Sequence, residues 1–366
     1  MFMDYHKDLS VSVEAVKKAH IADESVQKKY GVTYHQFWVN EDEGTVFCLI
    51  EAPDKESCEA VHREAHGNIA CSIVEVSEGF YTLFMGKGHM VEDGWVKAQD
   101  GRPDLGIRYV LVIHVHGLTS LTASEYRALK TPFRAKDLVV SLLSRFHGRE
   151  VNRFHDDSLM AVFDSPSNAV ECALEIQKQL LHKKTVVPND EWNITFKMGL
   201  SAGQPVTESG DFFSEAITLA RRLCSVANVN EVLMSSRLQE QGDVTHMARD
   251  LKLVRLLNPR EQHFINNLFS ISEENLSDEH FTVESLSRNI GMSRPQLYRK
   301  IVALTGKSPN DFIRDLRMER ALSLIRQKAG NISEIALEVG YNNPSYFARC
   351  FQMRYGCTPS RVNTTI

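Results

Sequence analysis

Two groups of residues have types and spacings that could do chemistry. His62 and His66 stand four apart in AVHREAHG, so on a helix both imidazoles point the same way, a usable spacing for two metal ligands. His6, His20 and Cys48 are candidate additional donors if the fold brings them together, while the plainer reading of two such histidines is solvation or ordinary hydrogen bonding. The second group lies toward the other end. FTVESLSRNIGMSRPQLYRKIVALTG and NISEIALEVGYNNPSYFARCFQMRYG each read as a short helix, a Gly turn and a second helix with an outward basic residue, Arg299 and Arg349 respectively. Two such units in one chain read as a repeated DNA-reading device. The bland alternative is a helical bundle whose arginines are solvated.

The elements that must position these groups can be read from caps and periodicity. Thr282 is an N-cap with Phe281 and Leu286 placed as a hydrophobic staple, and Ser293 caps the next helix with Gln296 as its capping-box partner. Asn331 with Glu334 repeats the box, and Asn343–Pro344 gives a cap followed by Pro at the first helical position. Ser308–Pro309 opens a connecting helix to about Gln327, which at 1.5 Å per residue spans roughly 30 Å, near one turn of B-DNA. Leu297, Ile301, Phe347 and Phe351 fall on the opposite faces and read as core.

Upstream, strands and helices alternate in β-α-β-β-α-β order: strand 2–7, helix Ser12–Tyr30, strands Val32–Val39 and Thr45–Glu51, helix Asp54–Ala65 and strand Ile69–Glu78. That order predicts a ferredoxin-like sheet with both helices on one face. Residues 81–106, rich in Gly and charge, read as a linker. A second alternating pattern fills 107–241, with 242–257 as a joining helix and 258–366 as the helical C-terminal domain. The expected class is multidomain α+β: a ferredoxin-like domain over 1–80, an α+β middle domain, and an all-α double helix-turn-helix domain.

Composition bounds the rest. Residues 281–366 hold 13 Lys/Arg against 6 Asp/Glu, whereas residues 1–100 hold 9 against 18, an asymmetry that the net charge of −5 hides. A basic module attached to an acidic one suggests a phosphate-binding end. No run of about 18 apolar residues predicts a membrane span. The start MFMDYHKDLS lacks the features of a secretory signal, and seven cysteines without a CxxC pair predict reduced thiols and a cytoplasmic protein.

Three resemblances sharpen these readings. GMSRPQLYRKIVALTGKSPNDFIRDLRMERA and ISEIALEVGYNNPSYFARCFQMRYGCTPS resemble the AraC-type DNA-binding domain, which implies double-stranded DNA as partner and Pro295, Tyr298, Arg299, Pro344, Ser345, Tyr346 and Arg349 as base-reading positions. Residues 2–79 are similar to a small nickel-binding ferredoxin-like family, with aligned His20, Asp23, Gln27, Trp38, Cys48, His62, His66 and Gly67. Imidazole and thiolate donors suit nickel, copper or zinc, and a homodimer is implied. DSLMAVFDSPSNAVECALEIQKQL and MGLSAGQPVTESGDFFSEAITLARRLCSVANVNEVLMSS resemble the class III nucleotide cyclase domain. Of that family's site, Asp157, Arg153 and Arg222 are kept, but His114 replaces the first metal aspartate and Thr218 the transition-state asparagine. Imidazole is a poor ligand for magnesium, so the resemblance implies an inactive cyclase and no enzyme. The expectation is a transcription regulator controlled by a transition metal, with RNA polymerase as a further candidate partner. The alternative is a nucleotide cyclase or a nucleotide-sensing regulator.

Overall fold

The structure, a computed structural model, describes residues 1–366 except 9, 88, 99–100, 117–130, 152–157, 187–194, 209, 241–252 and 363–366. The N-terminal domain follows the expected order: β1 (Phe2–Lys7), α1 (Val13–Val26), β2 (Thr33–Asn40), β3 (Thr45–Glu51), α2 (Lys55–Ala65) and β4 (Ser72–Glu75). The strands lie in the order β4-β1-β3-β2, all antiparallel. Ser12 Oγ accepts from Ala15 N at 3.3 Å and Asp54 Oδ1 from Ser57 N at 2.8 Å, so both helices start on side-chain caps. Strand alternation sends Val46, Cys48 and Ile50 toward α1 and α2, and Met3, Tyr5, Phe47 and Leu49 to the other face.

The stretch read as a linker is instead built into the sheet. It takes in the second half of α3 (Glu78–Met85) and all of β5 (Met90–Glu92) and β6 (Trp95–Lys97). β6 runs parallel to β2, pairing Trp95 with Phe37. Its Gly and charge mark turns rather than a tether: Asp93 and Gly94, at φ 50° and 79°, close the β5–β6 hairpin.

The middle domain comprises β7 (Arg108–His116), α4 (Thr131–Arg145), β8 (Arg149–Glu150), β9 (Ser158–Phe163), α5 (Pro166–Val186), β10 (Thr195–Gly203), α6 (Ser214–Val226), β11 (Val232–Met234) and β12 (Val254–Leu256), with sheet order β12-β11-β10-β7-β9-β8. The expected joining helix falls largely outside the described residues, and Val254–Leu256 is a strand parallel to β11. One face of the sheet is covered by α4 and α5. The other face shares one core with α6 and the N-terminal sheet, joining Val110, Val112, Met160 and Ala220 to Trp38, Phe47 and Leu49. Phe84 of α3 stacks on Phe213 at 4.8 Å within it. Buried Arg108 closes this seam: it pairs with Asp104 and Asp164 at 2.8 and 2.9 Å and donates to the carbonyl of Phe84 at the end of α3. A buried cation is tolerable there because carboxylates and a helix-terminal carbonyl replace its lost hydration.

The C-terminal domain is all helical: α7 (Pro259–Asn275), α8 (Val283–Ile290), α9 (Arg294–Thr305), α10 (Pro309–Arg326), α11 (Ile332–Glu338), α12 (Pro344–Tyr355) and α13 (Pro359–Val362). The expected caps form at Thr282, Ser293, Ser308, Asn331 and Asn343. Gly291 and Gly340 make the two turns in the left-handed region, at φ 75° and 77°. The first unit does not own its core. Leu219, Leu223 and Val226 of α6 pack with Phe264 and Leu268 of α7, Leu297 and Ile301 of α9, and Phe312 of α10. The second unit has a separate core around Phe347 and Phe351.

Candidate metal centre and nucleic-acid interface

Between the N-terminal sheet and its two helices lies a cluster of buried polar side chains. His62 and His66 come from α2, four apart; Asp23 comes from α1, and Asp4 from β1. His62 Nδ1 lies 3.3 Å from His66 Nε2 and 3.4 Å from Asp23 Oδ1, and His66 Nε2 lies 3.2 Å from the same oxygen. These three atoms form a nearly equilateral triangle. Around an ion bonded at about 2.1 Å, neighbouring donors stand roughly 3.0 to 3.4 Å apart, so the triangle has the dimensions of one face of a coordination sphere. Apart from these two ring nitrogens, buried Asp23 Oδ1 has no hydrogen-bond partner among the described residues.

The other nitrogen of His62 is held from behind. Its Nε2 stands 2.8 Å from Asp4 Oδ2, with the Tyr34 hydroxyl 3.3 Å away. A carboxylate on the far ring nitrogen fixes the orientation of a metal-binding histidine. Burial alone would lower the His62 pKa, but hydrogen bonds to Asp23 and Asp4 outweigh it and push it up to about 10. Burial likewise opposes ionised Asp4, yet His6 and His62 hold its carboxyl well below the usual range. Without an ion, an imidazolium between two carboxylates therefore balances the charge.

The residues expected to ligate a metal divide into groups. His62 and His66 come together with Asp23; His6 and Cys48 come together with Asp4. His20 joins neither group. It is buried against Phe37 and Tyr34, with ring centroids 5.1 and 6.1 Å away, and the β5–β6 turn closes over it. A Cβ at Gly94 would lie 2.5 Å from His20 Nε2. Asp4, and Asp23 as a donor, join the candidate site only through the fold. Asp4 was detectable as a carboxylate alternating with Met3 and Tyr5, on the same side as His6.

In the C-terminal domain, Pro295, Tyr298 and Arg299 on α9 and Pro344, Ser345, Tyr346 and Arg349 on α12 are all exposed, while Leu297, Ile301, Phe347 and Phe351 on the same helices are buried. Each second helix thus has one buried stripe and one free face that carries an arginine. Arg349 lies over the Tyr346 ring, 5.3 Å from its centroid, which pre-orients the guanidinium.

In the middle domain, His114 is half-buried on β7, paired in register with Lys197 and Ser158, and Thr218 is exposed on α6. Arg153 and Asp157 lie outside the described residues. Arg222 is engaged by α7: it reaches Glu273 at 2.7 Å and Ser270 at 3.3 Å, and lies over the ring of Phe269.

Comparison with known proteins finds family matches at the two ends of the chain. Residues 286–365 match the family model for a helix-turn-helix domain, and residues 2–76 match the model described as nickel responsive protein SCO4226-like. The C-terminal module is an AraC-type helix-turn-helix domain, and the N-terminal module is a domain of the SCO4226-like family. Histidine kinase P4 of Formosa agariphila is 39% identical over 101 residues, 28% of this chain and 7% of that protein. An uncharacterized HTH-type transcriptional regulator in the cgkA 5' region of Pseudoalteromonas carrageenovora is 28% identical over 36% of this chain and 74% of its own length. Among solved structures, SCO4226 from Streptomyces coelicolor A3(2) is 37% identical, covers 20% of this chain and 93% of that one, and has a TM-score of 0.20. An adenylate/guanylate cyclase/hydrolase from Silicibacter pomeroyi is 23% identical over 37% of this chain and 79% of that one, with a TM-score of 0.32. No helix among the described residues is long and apolar enough to cross a membrane.

Proposed function

We propose that this protein is an AraC-type, sequence-specific DNA-binding transcription regulator whose grip on DNA is set by a transition metal of the nickel class bound by Asp23, His62 and His66. The observation that carries the reading is the pairing of that donor triangle with two exposed arginine-bearing helix faces in one chain. The 18 residues of α10 span about 27 Å at the helical rise, which suits two major-groove entries on one face of a duplex. Two imidazoles and a carboxylate suit nickel, zinc or copper, and the ion itself would supply the charge that redistributes this cluster.

Coupling has a physical route. The helices that carry the donors pack on one face of the N-terminal sheet, and the opposite face of that sheet shares one core with the middle domain. In turn, α6 of the middle domain completes the core under the first recognition helix. A change in the spacing of α1 and α2 on metal binding is passed through packed side chains rather than across a flexible tether. No catalytic role is assigned to the middle domain, because Arg222 is occupied by the lead-in helix of the DNA-binding module.

Footprinting the full chain on its operator at fixed salt, with nickel and with a chelator, tests this. Protection should differ between the two, and His66→Ala should remove the difference while leaving chelator-state protection in place. Identical protection under both conditions removes metal control from the reading; no operator preference removes the regulator.

A further inference from the structure

The sheet of the middle domain ends on β12, and the centre of that edge strand reaches into the DNA-binding module. Arg255, opposite Leu233 of β11, places its Nη2 2.9 Å from the carbonyl oxygen of Leu304. Leu304 is the last residue but one of α9, and its carbonyl is among the four that a helix leaves without a partner of its own. A guanidinium there meets an open acceptor and the negative end of the helix dipole together. The same guanidinium is held from the other side. Arg255 Nε and Nη2 lie 3.1 and 3.3 Å from the two carboxylate oxygens of buried Glu231, whose Oε2 also accepts from the Asn228 backbone amide at 2.6 Å. Asn228 in turn faces the turn that ends α9: a Cβ at Gly306, at φ 67°, would stand 2.9 Å from Asn228 Oδ1. Arg255, Glu231 and Asn228 of the middle domain thus close on the end of the first recognition helix, whereas the second, α12, packs on a separate core.

We propose that Arg255 is a positioning residue for DNA reading: it sets the orientation of α9, so that the middle domain governs base discrimination by the first helix-turn-helix unit and not by the second. The inference deepens the regulator reading above and rests on it for sequence-specific binding, but needs no bound metal. The apolar core that α6 shares with α9 holds the helix in place without giving it a direction. The charge-assisted bond from Arg255 to the Leu304 carbonyl supplies that direction. Arg299 lies five residues before Leu304, about 7.5 Å along the helix axis, so a tilt at the held end displaces its guanidinium directly. A two-bond contact to a base edge needs both donors in place, whereas contacts to phosphate carry no sequence information and tolerate the shift. The planar fork of arginine is what lets one side chain serve Glu231 and the Leu304 carbonyl at once.

The probe is the duplex that the wild-type full chain selects from a random-sequence pool, mutated one base pair at a time. Arg299→Ala and Arg349→Ala mark which base pairs belong to α9 and which to α12. Arg255→Met keeps the aliphatic stem and removes the fork; it should reduce discrimination about fivefold at the α9 base pairs and leave the α12 base pairs at their wild-type values. Arg255→Lys, with one ammonium for two acceptors, should recover part of the loss. Arg222→Ala loosens the same two domains at α7 and should lower affinity without changing discrimination in either half. Where Arg255→Met does not fold, the double variant with Glu231→Gln, which leaves no unpaired buried carboxylate, is measured in its place. A uniform loss over all base pairs, no loss, or the same pattern in Arg222→Ala overturns the role of Arg255. Failure of the wild type to select any site sinks the regulator reading and this inference with it; a selected site whose discrimination survives the loss of the fork sinks this inference alone.

Discussion

Arg222 Nη2 lies 2.7 Å from Glu273 Oε2, and this contact joins the middle domain to the first helix of the DNA-binding module. Around it, Arg222 reaches Ser270 and Asn266 and covers the ring of Phe269, so the side chain does more packing than pairing. Arg222→Ala should therefore destabilise the chain by about 2 kcal/mol, whereas Glu273→Ala, whose carboxylate is half exposed, should cost about 1 kcal/mol or less. Denaturant unfolding of both single variants and the double variant checks this. Full additivity would show that the ion pair couples nothing.

The two arginines on the free helix faces should carry base discrimination. Arg299→Ala and Arg349→Ala are each expected to weaken operator binding by about 1–3 kcal/mol and to relax preference at one base pair apiece. Tyr346→Ala should produce a smaller loss of the same kind, because it removes the ring that orients Arg349. Titration against operators mutated one base pair at a time separates these effects from a uniform loss of phosphate contacts.

What was legible in the sequence follows the range of the forces involved. Caps and helix faces are local, so Thr282, Ser293, Asn331 and Asn343 and the buried stripes at Leu297 and Phe347 were readable within one turn. The β-α-β-β-α-β order was readable from alternation alone. The β5–β6 hairpin was not, because three-residue strands carry too little periodicity, and β12 is equally short. The shared cores were invisible for a different reason. Leu219 and Leu223 look like any amphipathic stripe, and only long-range docking decides that the other side is α7 rather than solvent. His20 was a candidate donor only on condition that the fold brought it to His62 and His66; its enclosure instead depends on Gly94, seventy-odd residues away.

Gly340 fixes how the second helix-turn-helix unit sits on the first. At φ 77° it occupies a conformation that other residues reach only with strain, and a Cβ there would stand 2.5 Å from the carbonyl of Leu276 and 2.9 Å from the Arg317 guanidinium. Arg317 in turn donates to the Asp278 carbonyl at 2.7 Å and lies over the ring of Tyr341, so it holds the two units together. Gly340→Ala should cost about 2 kcal/mol or more and should reduce operator binding even with every base-reading side chain intact. Gly291→Ala is the control: it shares the positive φ but meets nothing within 4 Å, so it should show the strain alone. Equal losses in both would mean that the Leu276 contact contributes nothing.

His62 makes the metal-free protein's stability depend on pH in a direction that can be worked out. Its folded pKa, about 10, lies above the unfolded value near 6.5, so the folded state binds the proton more tightly. The stabilisation is fully present below pH ~6.5 and is lost progressively as pH rises toward 10. Asp4 and Asp23 are shifted downward, so their share of the same interaction is present above the ordinary carboxylate range and disappears in acid. Unfolding in the presence of a chelator should therefore be most costly between about pH 4 and 6.5, with a loss of a few kcal/mol on going to pH 10. His62→Gln should be less stable near pH 6 and flatter across the alkaline limb, since a neutral amide has no proton to lose. An unchanged alkaline slope in that variant would place the titrating group elsewhere in the chain.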